Sequence, residues 1–331
     1  MLIIGLQILR MLMSFFIIQR HCFNIKLTKN KFLIITYHGI GFYISTFYLI
    51  SYFLSYKALK TRNINRIKLR LERFFIPYII WPALIFLLNN IYYIFGINIK
   101  HKNFKDLFIQ LITGKRIYGI FWFQCDLILS FILFSIIALS IKNDFLFIVQ
   151  LFGIEGYFYH SLHHYCKLFK TYIFEIRSLF QDFGKVLLYS SIGITLATLL
   201  DINNLKKKRK KAMLFSLISI YLIRDFSFIK NKFFYLRCII NGIAAVSFFI
   251  FFSAISISNN KKIISIIQII TNYTGGVYYL HFILWKILRR KIQIFKKKTL
   301  FGCFLNYILC YFICFVGDKS FAKSNLKYLF I

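Results

Sequence analysis

Apolar runs of membrane-crossing length recur along this 331-residue chain, and short basic stretches divide them. A helix rises 1.5 Å per residue, so roughly 20 apolar residues match the hydrocarbon of a bilayer. Inside a bilayer every backbone N–H and C=O needs an internal partner, which an α-helix supplies within one segment. Phe (42 residues) and Tyr (22), with Ile and Leu, fill the runs; only 16% of residues are charged. The predicted fold class is all-α, a polytopic membrane protein of about ten transmembrane helices. One domain is expected over 1–331. Two prolines agree with long, little-interrupted helices.

The expected spans are Leu2–Ile18 (extending to His21), Phe32–Tyr56, Phe74–Phe95, Gly119–Ile141, Phe145–Tyr159 and Lys185–Leu200. They continue as Ala212–Ile223, Phe234–Ile257, Ile263–Leu288 and Leu300–Val316, the ninth broken at Thr274-Gly275-Gly276. Pro77 is expected in the first turn of the third span, where a missing N–H is tolerated. Between the fifth and sixth spans, His160–Gly184 reads as an exposed or re-entrant polar stretch. Lys57–Arg73 carries seven basic residues and one acid, and Leu205–Lys211 carries six and none. Both read as cytoplasmic, which places the N-terminus inside. Arg289–Lys298 (RRKIQIFKKK) then falls outside, against that bias. The first run has no basic stretch ahead of it and no small-residue cleavage site after it, so a retained span is expected.

A net charge of +34 invites a nucleic-acid reading. The Lys and Arg lie instead in short loops between spans, where they orient helices against anionic lipid. Membrane lipid is the expected partner, and nucleic acid is not. The seven cysteines form no CxxC pair, and most lie inside apolar runs as small buried hydrophobes. Cys303, Cys310 and Cys314, spaced by seven and four, share one helix face.

The residues with chemistry to explain are polar groups inside apolar runs. Arg10 and His21 are eleven positions apart, so they lie on nearly the same helix face about 16 Å apart along the axis. A guanidinium near the centre of a span costs about 2.5–3.5 kcal/mol on insertion scales, so Arg10 needs a partner or a wet cavity. The reading is that this face lines a hydrated cavity. His281 sits beside the Gly275-Gly276 break, which frees backbone groups tolerable only near protein or water. His38, Tyr279, Trp122 and Asp126 are further pocket candidates; Trp122 and Trp81 also suit the aromatic belt near span ends. His160, His163 and His164 have no clear carboxylate or cysteine set to complete a metal site, and none is expected. Neither a nucleotide-binding glycine loop nor a Gly-x-Ser-x-Gly elbow occurs.

Arg, ten residues, then His in a first span resembles the signature of the membrane acyltransferase family 3, the polysaccharide O-acetyltransferases. Four further pieces agree, in the family's order. FYLISYFLSYKAL at Phe47–Leu59 looks like its "FF-x-ISG-F-x-L" end of span 2, with Ser51-Tyr52 where the family has Ser-Gly. RLERFFIPYIIW at Arg70–Trp81 looks like its "R-R-x-x-R-x-x-x-P-Y-x-x-W" start of span 3. GIFWFQCDLI at Gly119–Ile128 resembles the "LWFL" start of span 4, and GGVYYLHFIL at Gly275–Leu284 the late "G-I-Y-L-x-H" motif. The middle, about 140–260, is similar only in hydropathy.

The resemblance implies transfer of an acyl group, acetyl by family expectation, from acyl-CoA to a hydroxyl of a cell-surface or lipid-linked carbohydrate. The family expectation is a multi-pass protein of the plasma membrane with no bound cofactor; an internal membrane is the alternative in a eukaryote. His21 would be the general base and Arg10 would help bind the donor, while Arg70 and Arg73 would contact CoA phosphates. The chemistry suits these residue types, because His titrates near operating pH and Arg offers a planar fork for phosphate or an oxyanion. A reading from another class is a transporter or exporter of a lipid-linked sugar, using the Gly-Gly break as a half-helix binding site.

Overall fold

The computed structural model describes residues 4–25, 28–30, 33, 40–94, 103–114, 121–141, 143–162, 174–200, 214, 234–255, 261–296 and 298–330. Among these residues the chain is all-helical, with no strand. In chain order the helices are α1 (Ile4–Cys22), α2 (Ile40–Lys60), α3 (Ile64–Ile94), α4 (Phe104–Thr113), α5 (Trp122–Ser140) and α6 (Phe145–Leu162). Then follow α7 (Phe174–Leu199), α8 (Phe234–Ala254), α9 (Lys261–Asn272), α10 (Thr274–Lys291), α11 (Gln293–Lys296), α12 (Leu300–Ser320) and a 3-10 turn at Asn325–Leu329. The expected seventh span apart from Leu214, the basic run Leu205–Lys211, His38, His163 and His164 lie outside the described residues.

Among the described residues three helices are long and apolar enough to cross a membrane: Ile64–Ile91 within α3, Trp122–Ser140 and Leu300–Ser320. Shorter apolar helices are Phe145–Phe158, Phe183–Leu199, Ile239–Ala254 and Lys262–Asn272. Helix α12 shows what solvent its surface is built for. Its small and polar residues Cys303, Asn306, Cys310, Cys314 and Gly317 are buried. Phe301, Phe304, Ile308, Phe312 and Phe315 are exposed. Large apolar groups outside and small polar groups inside is the arrangement lipid favours, since interhelical contact there relies on close packing and hydrogen bonds. The three cysteines therefore share the packed face, as their spacing predicts.

Two elements run longer than the sequence suggests. Basic residues 64–73 and the third apolar span form one 31-residue helix, α3, so Pro77 and Pro82 fall in its interior. An interior proline removes a backbone hydrogen bond and crowds the preceding turn. The carbonyl that Pro77 leaves without its helical donor is that of Arg73; one residue on, Gln124 Nε2 of α5 donates to the Phe74 carbonyl at 2.8 Å. Within the polar stretch His160–Gly184, the described residues 160–162 and 174–184 are helical, at the end of α6 and in the first turns of α7. Ile176, Leu179, Phe180 and Phe183 recur there at three- and four-residue steps, a helical period that the polar residues between them obscure. The ninth apolar run breaks at Tyr273, between α9 and α10, one residue ahead of the expected Thr274-Gly275-Gly276, which form the first turn of α10.

The described chain falls into two compact units, 1–54 with 192–321 and 330–331, and 55–191 with 322–329. In the first unit α1 is central, packed against α8, α9, α10 and α12. Leu6, Leu9, Met13 and Ile17 of α1 form one stripe in a core with Phe42, Tyr43, Leu49 and Ile50 of α2 and Ala244, Ala245, Phe249 and Phe252 of α8. In the second unit α3 carries α4, α5 and the 3-10 turn. Helix α4 starts with a capping box between Asn103 and Asp106 and ends at Gly114 in the left-handed region, φ 70°. That glycine is required twice over, because a Cβ there would also sit 2.5 Å from the Trp122 Cα.

Candidate functional site

The site grows from the next stripe round α1. Gln7, Arg10, Ser14 and His21 follow three- and four-residue steps with one turn skipped, beside the Leu6–Ile17 stripe. Their neighbours lie on α10 and α12. Arg10 is half-buried; its Nη1 donates to Gln7 Oε1 at 3.4 Å, and Tyr311 of α12 is its electrostatic neighbour. Tyr311 is hydrogen-bonded to Thr274, at the start of α10. One turn along, Tyr307 Oη lies 3.2 Å from Tyr311 Oη and 3.0 Å from Ser14 Oγ. Ser14 and Tyr307 both donate to the Met11 carbonyl, at 2.8 and 2.9 Å.

His21 closes the far end. Its ring centroid lies 5.5 Å from that of His281, with planes at 39°, and 5.9 Å edge-on from Phe282. His281 is fully buried, and its Nδ1 is 2.6 Å from the Tyr278 carbonyl oxygen. Asn306 of α12 fastens this corner by donating to the His281 carbonyl at 2.9 Å and reaching Cys22 Sγ at 3.7 Å. These contacts set α1 parallel to α10 and antiparallel to α12. The Asn24 N–H donates to the Lys298 carbonyl at 3.0 Å, so the basic Arg289–Lys298 segment shares the end of the unit that holds His21.

The arrangement amends the expected cavity. Arg10 and His21 both face protein, but Ser14 and Tyr307 occupy the interval between them. The stripe is a hydrogen-bonded polar seam, closed along its middle by side chains that satisfy one another. Gly276 lets α10 approach, since a Cβ there would lie 2.6 Å from the Phe330 carbonyl oxygen and 2.7 Å from Cys314 Sγ. Tyr279 is buried on the same helix with its ring edge-on to Tyr278.

The remaining candidates belong to the second unit. The Arg70 guanidinium lies over the Phe74 ring at 5.4 Å, and that of Arg73, exposed, over Tyr328 at 5.7 Å. Asp126 is buried on α5, an electrostatic neighbour of Tyr78. Trp122 is half-buried at the first turn of α5. Trp81, expected in the aromatic belt, is buried, and its Nε1 donates to the Leu329 carbonyl at 3.2 Å. The sequence reading missed Ser14, Thr274, Asn306, Tyr307 and Tyr311. Asn306 between Cys303 and Cys310 was the available signal, a carboxamide on the small-residue face of an apolar helix.

No family model matches the chain. No curated protein and no solved structure matches it.

Proposed function

We propose that the chain is a membrane-bound O-acyltransferase that moves an acyl group, acetyl by the family resemblance, from acyl-CoA to a carbohydrate hydroxyl. The observation that carries this reading is the meeting of His21 with His281, 260 positions apart in sequence, at one end of a polar seam that has Arg10 at the other. Two imidazoles side by side in an apolar helix bundle are costly unless used, and intramembrane ionisable groups cluster on functional paths.

In the proposed reaction the acceptor hydroxyl attacks the thioester carbonyl while His21 takes its proton. The new C–O bond forms, the C–S bond breaks, and the imidazolium returns the proton to the departing thiolate, releasing CoA as the free thiol. Arg10 supplies fixed positive charge about 16 Å along the axis for the phosphate-bearing part of an extended donor, which would displace the Ser14–Tyr307 contact that closes the seam between Arg10 and His21. Arg70 and Arg73 are proposed as additional phosphate contacts. The reading includes about ten spans with the N-terminus inside and residence in the plasma membrane. It takes a carbohydrate or lipid-linked sugar as acceptor.

The test is thioester consumption by the purified full chain in lipid, with acetyl-CoA and extracted membrane glycolipids. CoA release that His21→Ala abolishes supports the enzyme. Release that is absent with any acyl-CoA, or unchanged in His21→Ala, rejects it.

A further inference from the structure

The two imidazoles of the site are not equivalent. The His281 Nδ1 faces the Tyr278 carbonyl at 2.6 Å, with the Val277 carbonyl also in range. A carbonyl only accepts, so Nδ1 must carry the proton. In the neutral ring the lone pair then sits on Nε2. That atom is buried and has no hydrogen-bond partner among the described residues. A buried acceptor left unmet costs about 1–3 kcal/mol, so a fold that keeps one has a use for it or a partner that arrives. The nearest ring able to donate is that of His21, half-buried, at a centroid separation of 5.5 Å. Ring nitrogens lie about an ångström from the centroid, so an edge-on turn of His21 brings nitrogen to nitrogen within hydrogen-bonding range.

We infer that His281 is a positioning residue for His21: its Nε2 lone pair receives the His21 N–H and so fixes which His21 nitrogen is left to act as base. The backbone makes the first choice, since the α10 carbonyls hold the His281 proton on Nδ1. His281 passes that choice on, and His21 presents its remaining lone pair to the acceptor hydroxyl. When His21 takes up the substrate proton, the same contact becomes a hydrogen bond from an imidazolium to a neutral acceptor, and such charge-assisted bonds are the stronger kind. Asn306 supports the device by holding the backbone of His281 and the Cys22 thiol next to His21 in one grip.

The inference rests on the acyl-transfer reading only for its activity readout, so the test has two arms. In the first, the full chain is labelled with 15N-histidine in lipid nanodiscs, and the His21 and His281 signals are assigned by loss in His21→Ala and His281→Phe. His281 is expected as the Nδ1–H tautomer. His21 is expected as one tautomer in the wild type and in His281→Gln, whose Oε1 offers an acceptor in place of Nε2, and as a mixture in His281→Phe. In the second arm, His21-dependent CoA release falls at least about 100-fold in His281→Phe and returns to within about tenfold of wild type in His281→Gln. A His281 ring protonated on Nε2, or a His21 tautomer indifferent to His281→Phe, overturns the inference whatever the activity. A chain with the paired tautomers but no CoA release keeps the pairing and rejects the acyl-transfer reading instead.

Discussion

The two units of this chain spend their buried polar groups differently. In the second unit the side chains of Gln124, Tyr78 and Trp81 bond to backbone carbonyls, beside the buried carboxyl of Asp126. Gln124 caps the Phe74 carbonyl below Pro77, and Tyr78 Oη donates to the carbonyls of Gln110 and Leu111 at 3.2 and 2.7 Å. Trp81 does the same for Leu329. Each bond ties a side chain to a backbone carbonyl, that of Leu111 lying at the end of α4, where helix carbonyls lack intrahelical donors. In the first unit polar side chains meet one another across helices: Ser14 with Tyr307, Tyr307 with Tyr311, His21 with His281. Buried hydrogen bonds of the first kind hold a helix bundle together. Groups of the second kind, titratable and in sequence, have protons to exchange, which is why the candidate site is placed there.

The sharpest way to break this contrast is to remove the base. His21→Ala should lower CoA release by about 10²–10⁴-fold, the range for loss of a positioned proton acceptor, with the thermal midpoint of the protein little changed. A loss of activity matched by an equal loss of folded protein would make His21 a packing residue and erase the distinction.

Next in size is Asn306→Leu. It removes the clamp on His281, whose carbonyl keeps its place in the α10 ladder, so the cost is that of one interhelical hydrogen bond, about 0.5–1.5 kcal/mol. Both the thermal midpoint and His21-dependent turnover should fall. Gln124→Leu in the second unit is the matched control. Double-mutant cycles for polar contacts between membrane helices average about 0.6 kcal/mol, so its midpoint should drop slightly, while kcat stays within about twofold. If both variants lose turnover alike, the division of labour between backbone support and chemistry does not hold.

How much of this was legible beforehand depends on what kind of signal each residue leaves. Helical apolar runs and a break beside Thr274 are legible because hydropathy and glycine act locally, whereas the number of membrane spans is not. Arg10 and His21 stood out because charge in a span is rare, and their common face follows from helix geometry alone. The seam between them did not read. Ser14, Tyr307 and Tyr311 are ordinary residues for a membrane helix, and only the antiparallel packing of α1 on α12 turns them into a hydrogen-bonded chain. Pro77 misled for the opposite reason. Its local meaning, a first-turn residue, was overridden when the basic segment ahead of it continued the helix.

The smallest expected effect concerns Arg73, and it asks whether the second unit takes any part in the chemistry. Its guanidinium lies over the Tyr328 ring, an exposed cation–π contact worth about 0.5–1 kcal/mol. If that contact is its whole role, Arg73→Ala should trim the thermal midpoint and leave the KM for acetyl-CoA alone. If it also meets donor phosphates, KM should rise several-fold in Arg73→Ala but not in Lys60→Ala, and the difference should shrink as salt screens the attraction. Tyr328→Leu separates the two roles. It removes the ring while keeping the charge, so a phosphate contact survives it and a purely structural one does not. A salt-dependent KM effect in Arg73→Ala that persists with Tyr328→Leu would bring the second unit into donor binding. Equal KM values in all three variants would leave it to hold the helices and the first unit to handle the proton.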